Sequence, residues 1–512
     1  MQDWTSGYVA DIGYTYGYYT ELNPFRSKLP LIFAGIVPPK SGSHCELGFG
    51  QGLSVNIHSA AGQGQWYGTD FNPAQAAHAQ ELAQASGSGA QLYEQSFQEF
   101  CTRQDLPEFD SIGLHGIWSW VSDENRRLII DFIARKLKVG GVVYVSYNTQ
   151  PGWAAMVPVR ELLTVHASRM GAHGTSIVAK VDGALDFALK LMETNPSFAK
   201  ANPQMAERLK KVNQQDRSYL AHEYFNKDWH PMSFASMSEW MSSAKMEYAC
   251  SANYLDAIEV INLTQEQAKL VNAISDPVLR QMTRDFCVNQ QFRKDYWIKG
   301  SRRLNSFEQA KLLRETRVIL CVPRRDVTLK LNAGLGTVNL SEAVYGPILD
   351  ILGDAKPYSI GELEAMLVPK GINISQIVQS VLVLTSVSVV AEVQDQEPQE
   401  RAKVACAKLN TYLLERAQAS NDVSFLASPV TGGAVVVSRF AQLFLLALER
   451  GHTSAQQCAV ATWEIFAQQK QRLVKEGKPM ESDQENIEEL LRQFEEFQTK
   501  TLPTLRALQI AR

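Results

Sequence analysis

The sequence predicts a doubly wound α/β sheet with a helical insertion and mainly α accessory domains, and three observations carry that expectation. A short apolar strand runs into alternate glycines, Cys45-Glu46-Leu47-Gly48-Phe49-Gly50-Gln51-Gly52, and then into a helix from Leu53. A second strand, Gln65 to Asp70, ends in an acid 18 positions after Gly52, the span a crossover helix and return strand need. Strand and helix then keep alternating as far as residue 150, the order that builds a parallel sheet.

Each element has a local reason. Glycines let the backbone turn sharply and approach a ligand where a Cβ would collide, and a helix starting beside them aims its first amides at that spot. The next strand begins at Phe109 and opens at its carboxyl end into a loop holding His115, Trp118 and Trp120, where open α/β sheets bind ligands. A helix from Asp123 to Leu137 carries acids in its first turn and Arg135, Lys136 and Lys138 near its last, matching the helix dipole, and Gly140-Gly141 stops it. Val142 to Asn148 is a continuous strand of the kind buried on both faces.

The glycine spacing narrows the ligand. A dinucleotide site wants a third glycine at 53 or 55, and those positions are Leu53 and Val55. A triphosphate loop needs a lysine, and no Lys or Arg occurs from Ser41 to Thr102. What remains is E-x-G-x-G-x-G followed by an acid, Asp70, placed to accept hydrogen bonds from both hydroxyls of a ribose.

Composition bounds the rest. At 512 residues, 45% hydrophobic and 20% charged, the chain is expected to form more than two domains of ordinary globular character. The start, Met-Gln-Asp-Trp-Thr-Ser, has no signal-peptide pattern, and no apolar run approaches the ~18 residues of a membrane span, so a cytoplasmic protein is expected. The seven cysteines form no C-x-x-C pair, which argues against a disulfide framework or a zinc site, and Cys45 reads as a core residue. Net charge is −4, and residues 1–150 carry 9 basic against 14 acidic side chains, so no nucleic acid is expected. Residues 276–303 are basic, 7 against 3, and read as an inter-domain surface.

Four units are expected: a cofactor core over 1–157, completed by 231–262 if a late strand rejoins it; a helical insertion over 158–218; a middle domain over 219–305; and a C-terminal domain over 306–512. Within the last, 340–393 has a winged-helix pattern, but its second helix, from Ile374, has no Lys or Arg in its first turns for DNA, so protein contact is expected. Gln394 to Glu400 reads as a linker, and Glu481 to Lys500 as an amphipathic helix.

The glycine loop with Asp70 resembles the cofactor motif of class I S-adenosylmethionine-dependent methyltransferases, which have a Rossmann-like sheet. Thr15 to Pro24, His115 to Val121, Tyr147 to Trp153, Tyr219 to Phe225, Gln291 to Asp295 and Ser428 to Gly432 are together similar to bacterial methyltransferases with a methyltransferase regulatory domain. The layout resembles the rickettsial outer-membrane-protein lysine methyltransferases. That resemblance implies S-adenosyl-L-methionine as cofactor, a protein lysine as acceptor and a homodimer built on the helical insertion. On this reading Glu46, Gly48, Gly50, Gly52, Asp70, Phe71, Phe97, His115 and Gly116 bind the cofactor. Tyr14, Tyr16, Trp118, Trp120, Tyr147 and Trp153 line the acceptor slot, and His115, Trp118 and Tyr19 are the catalytic candidates.

Methyl transfer is an in-line displacement that asks for alignment and exclusion of water, and no metal. An aromatic slot attracts an ammonium by cation–π contact and lowers its pKa by desolvation. His115 has two readings, a proton acceptor near neutral pH or a hydrogen-bonding partner of the backbone. The chain lacks the Asn/Asp-Pro-Pro-Tyr/Phe pattern of enzymes that methylate bases or glutamine amides. A small-molecule O- or N-methyltransferase and a non-catalytic cofactor-binding protein are the alternatives; the long accessory domains favour a macromolecular acceptor.

Overall fold

A computed structural model describes residues 15–171 and 174–511. Its centre is a 7-stranded sheet in the order β3-β2-β1-β4-β5-β7-β6. The strands are β1 Ser43–Leu47, β2 Gln65–Asp70, β3 Gln91–Glu94, β4 Phe109–Leu114, β5 Leu137–Asn148, β6 Met246–Ser251 and β7 Phe292–Lys299. The first five run parallel, while β7 is antiparallel to both β5 and β6. The expected doubly wound α/β class holds. Helix Asp123–Lys136 forms where the charges at its ends favour it, but β5 starts directly at Leu137, so Gly140 and Gly141 lie inside the strand.

The late strand expected within 231–262 does rejoin the sheet, as β6, and the sheet takes a further strand from the segment read as the middle domain. The residues assigned to a separate middle domain, 219–305, supply β6 and β7, and β7 lies between β5 and β6, so the sheet is unfinished until residue 299. Residues 276–303 accordingly fold as the helix Pro277–Cys287 and β7, and Arg293, 4% exposed, is buried in the sheet. Its guanidinium donates to Asp295 at 2.9 Å, Asp285 at 2.6 Å and the Gln281 side chain at 3.0 Å. Burial pushes the Asp285 carboxyl up to about 6.

The segment after β5 folds into helices Val157–Met170, Ile177–Glu193, Ser197–Ala201, Met205–Asn213 and Arg217–Tyr224. Their apolar stripes meet one another: Leu163, Val181, Leu185, Leu209 and Leu220 share one buried cluster.

The winged-helix pattern is present as helices Glu342–Leu352, Ile360–Leu367 and Ile374–Ser386 beside a 3-stranded antiparallel sheet. The helix Ile374–Ser386 buries Ile377, Val381 and Leu384, and Arg26 donates to the Thr385 carbonyl, so this helix packs inside the protein. The expected linker at 394–400 is instead the start of helix Gln396–Arg416. Pro398 fits there because first-turn amides have no partner within the helix. That helix packs against helices Leu53–Ala61 and Pro73–Ser86, and Leu53, Ile57 and Leu82 join Leu409, Leu413 and Phe444 in one core. The C-terminal part thus covers one face of the cofactor domain.

Candidate cofactor and acceptor site

The carboxyl ends of β1, β2, β3 and β4 border a cleft of about 630 Å³. β1 ends in Glu46 and the glycine turn. Gly50 has φ +57° and Gly116 φ +67°, both in the left-handed region that favours glycine, and a Cβ at Gly116 would meet nothing within 4 Å. The backbone at both turns is therefore open to close approach from the cleft.

Asp70 holds this turn in place. One carboxylate oxygen accepts from the Gly50 amide at 2.8 Å and the other from the Asn72 amide at 2.9 Å. Each oxygen retains acceptor capacity for a ribose hydroxyl. Burial pushes the Asp70 carboxyl up to about 6, against the pull of those amides. Glu46 is 3% exposed, and its Oε2 has no hydrogen-bond partner among the described residues. Burial first, and then the neighbouring Asp70 charge, raise its carboxyl well above the ordinary range. An orphaned buried carboxylate oxygen beside a glycine cradle fits a ligand that brings both hydroxyl and cationic donors.

Of the expected cofactor residues, Glu46, Gly48, Gly50, Asp70, Phe71, Phe97, His115 and Gly116 line the cleft. Gly52 does not. Its φ is +73° and a Cβ there would stand 2.3 Å from the Ala79 Cβ, so this glycine lets two helices touch.

The acceptor candidates divide. Thr15, Gly17 and Tyr19 face the cleft, and the Tyr19 ring stacks on His115 with centroids 3.5 Å apart. Tyr16 and Tyr18, on the alternate side of this extended strap, turn to the C-terminal part. Arg416 sits 4.4 Å over the Tyr16 ring, and the Ala434 amide donates to the Tyr18 hydroxyl at 3.0 Å. Tyr16 is thus a clamp residue outside the slot, and Tyr14 lies outside the described residues.

Trp120 lines the cleft, whereas Trp118, Tyr147 and Trp153 do not. Trp118 is fully buried; its indole N–H donates to the Met232 sulfur at 3.3 Å and its ring meets Trp240 edge-on. Tyr147 is equally buried, its hydroxyl donating to Asp295 at 2.8 Å. Trp153 packs against Trp229 and under Arg208 in the helical insertion. The apolar character that made these rings candidates serves core packing instead.

His115 also departs from the expectation of a base titrating near neutrality. Its Nδ1 is hydrogen-bonded to the Tyr144 hydroxyl at 2.8 Å, a side-chain partner where a backbone one was considered. Burial pulls its pKa down to about 3, so the ring is neutral at physiological pH and is a weak base.

Sequence reasoning missed several groups, among them Ser122, Glu124 and Asn125 at the start of helix Asp123–Lys136. Gln95 and Ser96 follow β3 and were discoverable by the rule that carboxyl strand ends bind ligands. Asn226, Lys227 and Asp228 also line the cleft, but they lie far along the chain from the glycine turn and carry no motif.

Comparisons with known proteins agree with this geometry. Residues 45–141 match the family described as "Methyltransferase domain", and residues 216–299 match "Predicted methyltransferase regulatory domain". The uncharacterized protein sll1526 of Synechocystis sp. is 35% identical over 99% of this chain and 100% of its own length. Uncharacterized protein RP789 of Rickettsia prowazekii is 26% identical over 66% of this chain and 61% of its own. The structure of PKMT2 from Rickettsia typhi in complex with AdoHcy superimposes with a TM-score of 0.70 at 17% identity, covering 97% of this chain and 99% of that one. The chain belongs to the family of the Synechocystis protein and is a class I methyltransferase that uses S-adenosylmethionine and carries a methyltransferase regulatory domain.

Proposed function

We propose that this enzyme methylates lysine side chains of a protein. The observation that carries this reading is the lining of the cleft. Among the described residues its ionisable lining is Asp70, Glu124, Asp228, His115, Lys227 and the burial-raised carboxyl of Glu46, and its aromatic walls are Tyr19, Phe49, Phe71, Phe97 and Trp120. A site with that balance attracts cations and repels phosphate or carboxylate acceptors. The fold shared with PKMT2 along nearly the whole chain adds support.

When bound, S-adenosylmethionine supplies a methyl group on a cationic sulfur; the amine lone pair forms the new C–N bond as the C–S bond breaks, its electron pair staying on sulfur. The chain's own residues orient and desolvate. Tyr19 and Trp120 exclude water from the path of approach. His115, already neutral, anchors the Tyr19 ring by stacking and takes no proton. The acceptor ammonium must lose its proton to solvent before attack.

At saturating cofactor, turnover is therefore expected to rise with pH, close to tenfold per unit below the amine pKa, with no inflection near 6.5. Incubation with radiolabelled cofactor and protein extract, followed by mass spectrometry, tests the acceptor. Label on aspartate, glutamine, RNA or a metabolite would sink the lysine reading.

A cytoplasmic homodimer belongs to the same proposal. Among the described residues no helix is long and apolar enough to cross a membrane. The helical insertion covers most of its own apolar surface but leaves Val165, Met170 and Phe187 exposed. Light scattering is expected to give twice the chain mass at micromolar concentration, and a monomer there would remove the dimer.

A further inference from the structure

The segment between the helical insertion and β6 reaches the cleft from within the region matched as regulatory. It is fixed at several points. The Asn226 side chain donates to the His222 carbonyl at 2.6 Å, and Arg160 donates to the Asn226 carbonyl at 2.6 Å. The His230 amide donates to the Ser119 carbonyl at 2.8 Å, and the Met232 amide to the Asn148 carbonyl at 3.0 Å. Trp118, bonded to Met232, lies beneath it. These bonds tie the loop to the post-β4 turn and to the end of β5, and between them Asp228 lines the cleft.

The strand order fixes which end this is. Asp70 ends β2, and the Asp228 loop sits at β5, three strand spacings or roughly 14 Å along the sheet edge. The cleft runs from Asp70 and the β1 turn past His115 and Gly116 to the β4 and β5 side, and on the proposed reading the reactive end of the cofactor lies toward that side. Trp120, Glu124 and Asp228 line the cleft there, and on the cofactor side the cleft holds the unpartnered buried Glu46 oxygen. The Asp228 side chain is 31% exposed; the His230 ring stands 3.8 Å away and the buried Arg126 guanidinium feels its charge, and the exposed side of the carboxylate keeps lone pairs for an incoming donor.

We infer that Asp228 is a specificity-determining residue of the acceptor site: its carboxylate receives the cationic end of the acceptor and guides it along Trp120 to the methyl group. The region matched as regulatory then contributes directly to choice of substrate. This rests on the lysine reading above, and it adds which residue selects for charge.

The test uses the full chain with radiolabelled S-adenosylmethionine and three synthetic peptides that differ only in a central lysine, glutamine or glutamate. Wild type is expected to label the lysine peptide alone. Asp228→Asn is expected to raise the KM for that peptide about tenfold and to flatten its rise with added salt. Asp228→Glu is expected to restore most of the loss, and both variants to bind S-adenosylhomocysteine within twofold of wild type. Wild type that labels the glutamine or glutamate peptide, or none of the three, overturns the lysine reading and Asp228's role with it. Wild type that labels lysine while Asp228→Asn keeps the same KM and salt response overturns Asp228 alone. Weakened S-adenosylhomocysteine binding in Asp228→Asn, unrestored in Asp228→Glu, overturns it as well, by making the residue structural.

Discussion

Arg293→Met is expected to lower the stability of the folded chain by about 3–5 kcal/mol, the cost of leaving buried charges without their partner. The guanidinium bonds Asp285 and Asp295, each 1% exposed, and among the described residues the Asp285 Oδ2 has no hydrogen-bond partner. Without Arg293 two carboxylates confront each other across β7 and the helix Pro277–Cys287. The deficit should depend on pH. In the wild type the Asp285 carboxyl stands at about 6, above its ordinary 3.8, so the folded chain holds a proton more tightly than the unfolded one. That contribution is complete below the ordinary value and disappears as pH rises through about 6. Losing the cation pushes the Asp285 carboxyl higher still, so the variant is weakest above pH 7 and recovers toward pH 5. Urea midpoints followed by tryptophan fluorescence at pH 5, 6.5 and 8 measure this. A variant as stable as wild type at pH 8 would contradict the network, and a deficit equal at all three would assign it to packing.

Asp70→Ala is expected to weaken S-adenosylhomocysteine by about 1.5–3 kcal/mol, the range for hydrogen bonds to a charged group, or roughly 10- to 150-fold in Kd. The carboxylate fixes Gly50 and has acceptor capacity left for ribose hydroxyls, so its loss is expected to remove contacts and to loosen the turn that shapes the cleft. The wild-type affinity should fall as pH drops through about 6, because the protonated carboxyl gives up acceptor capacity. The variant lacks that share of the pH dependence. Calorimetry at pH 7.5 and 5.5 reads both effects, with NAD as a ligand expected to give no heat. Unchanged affinity in the variant would remove Asp70 from the site.

The cofactor half of this site was legible because its information is local. Alternate glycines, a strand on either side and an acid at the next strand's tip lie within 28 residues, Ser43 to Asp70, and the geometry of a βαβ unit leaves them one arrangement. The acceptor half was misread because aromatic residues satisfy a core and a slot equally well. Trp118 and Trp120 are two positions apart in one motif, yet one is sealed against Met232 and the other borders the cleft, and only the loop's fold distinguishes them. Asp228 had no local signal, since its place depends on backbone bonds to Ser119 and Asn148, which stand 109 and 80 positions earlier in the chain. β6 was foreseen as a late strand within 231–262, but β7 was not: it reads as a basic stretch because Arg293 is neutralised by acids on β7 itself and on the preceding helix.

The insertion of β7 between β5 and β6 sets the timetable of assembly on the ribosome. β5 ends at Asn148 and the strand that must occupy its outer edge begins at Phe292. At ~5–20 residues per second, synthesis leaves that edge without its partner for roughly 7–30 s. During this interval Val143, Val145 and Tyr147 have no β7 beside them, and a row of backbone amides and carbonyls is free to pair with another nascent chain. β6 emerges earlier, yet in the finished sheet it touches β7 and not β5, so pairing it to β5 on arrival would be an error that β7 must later displace. The helices from 157 to 224, with their own buried cluster, come out of the ribosome during this wait and can fold by themselves beside the open edge. The long gap in the sheet thus turns the insertion into a timing element, one that occupies the chain while half of the methyltransferase is still unsynthesised.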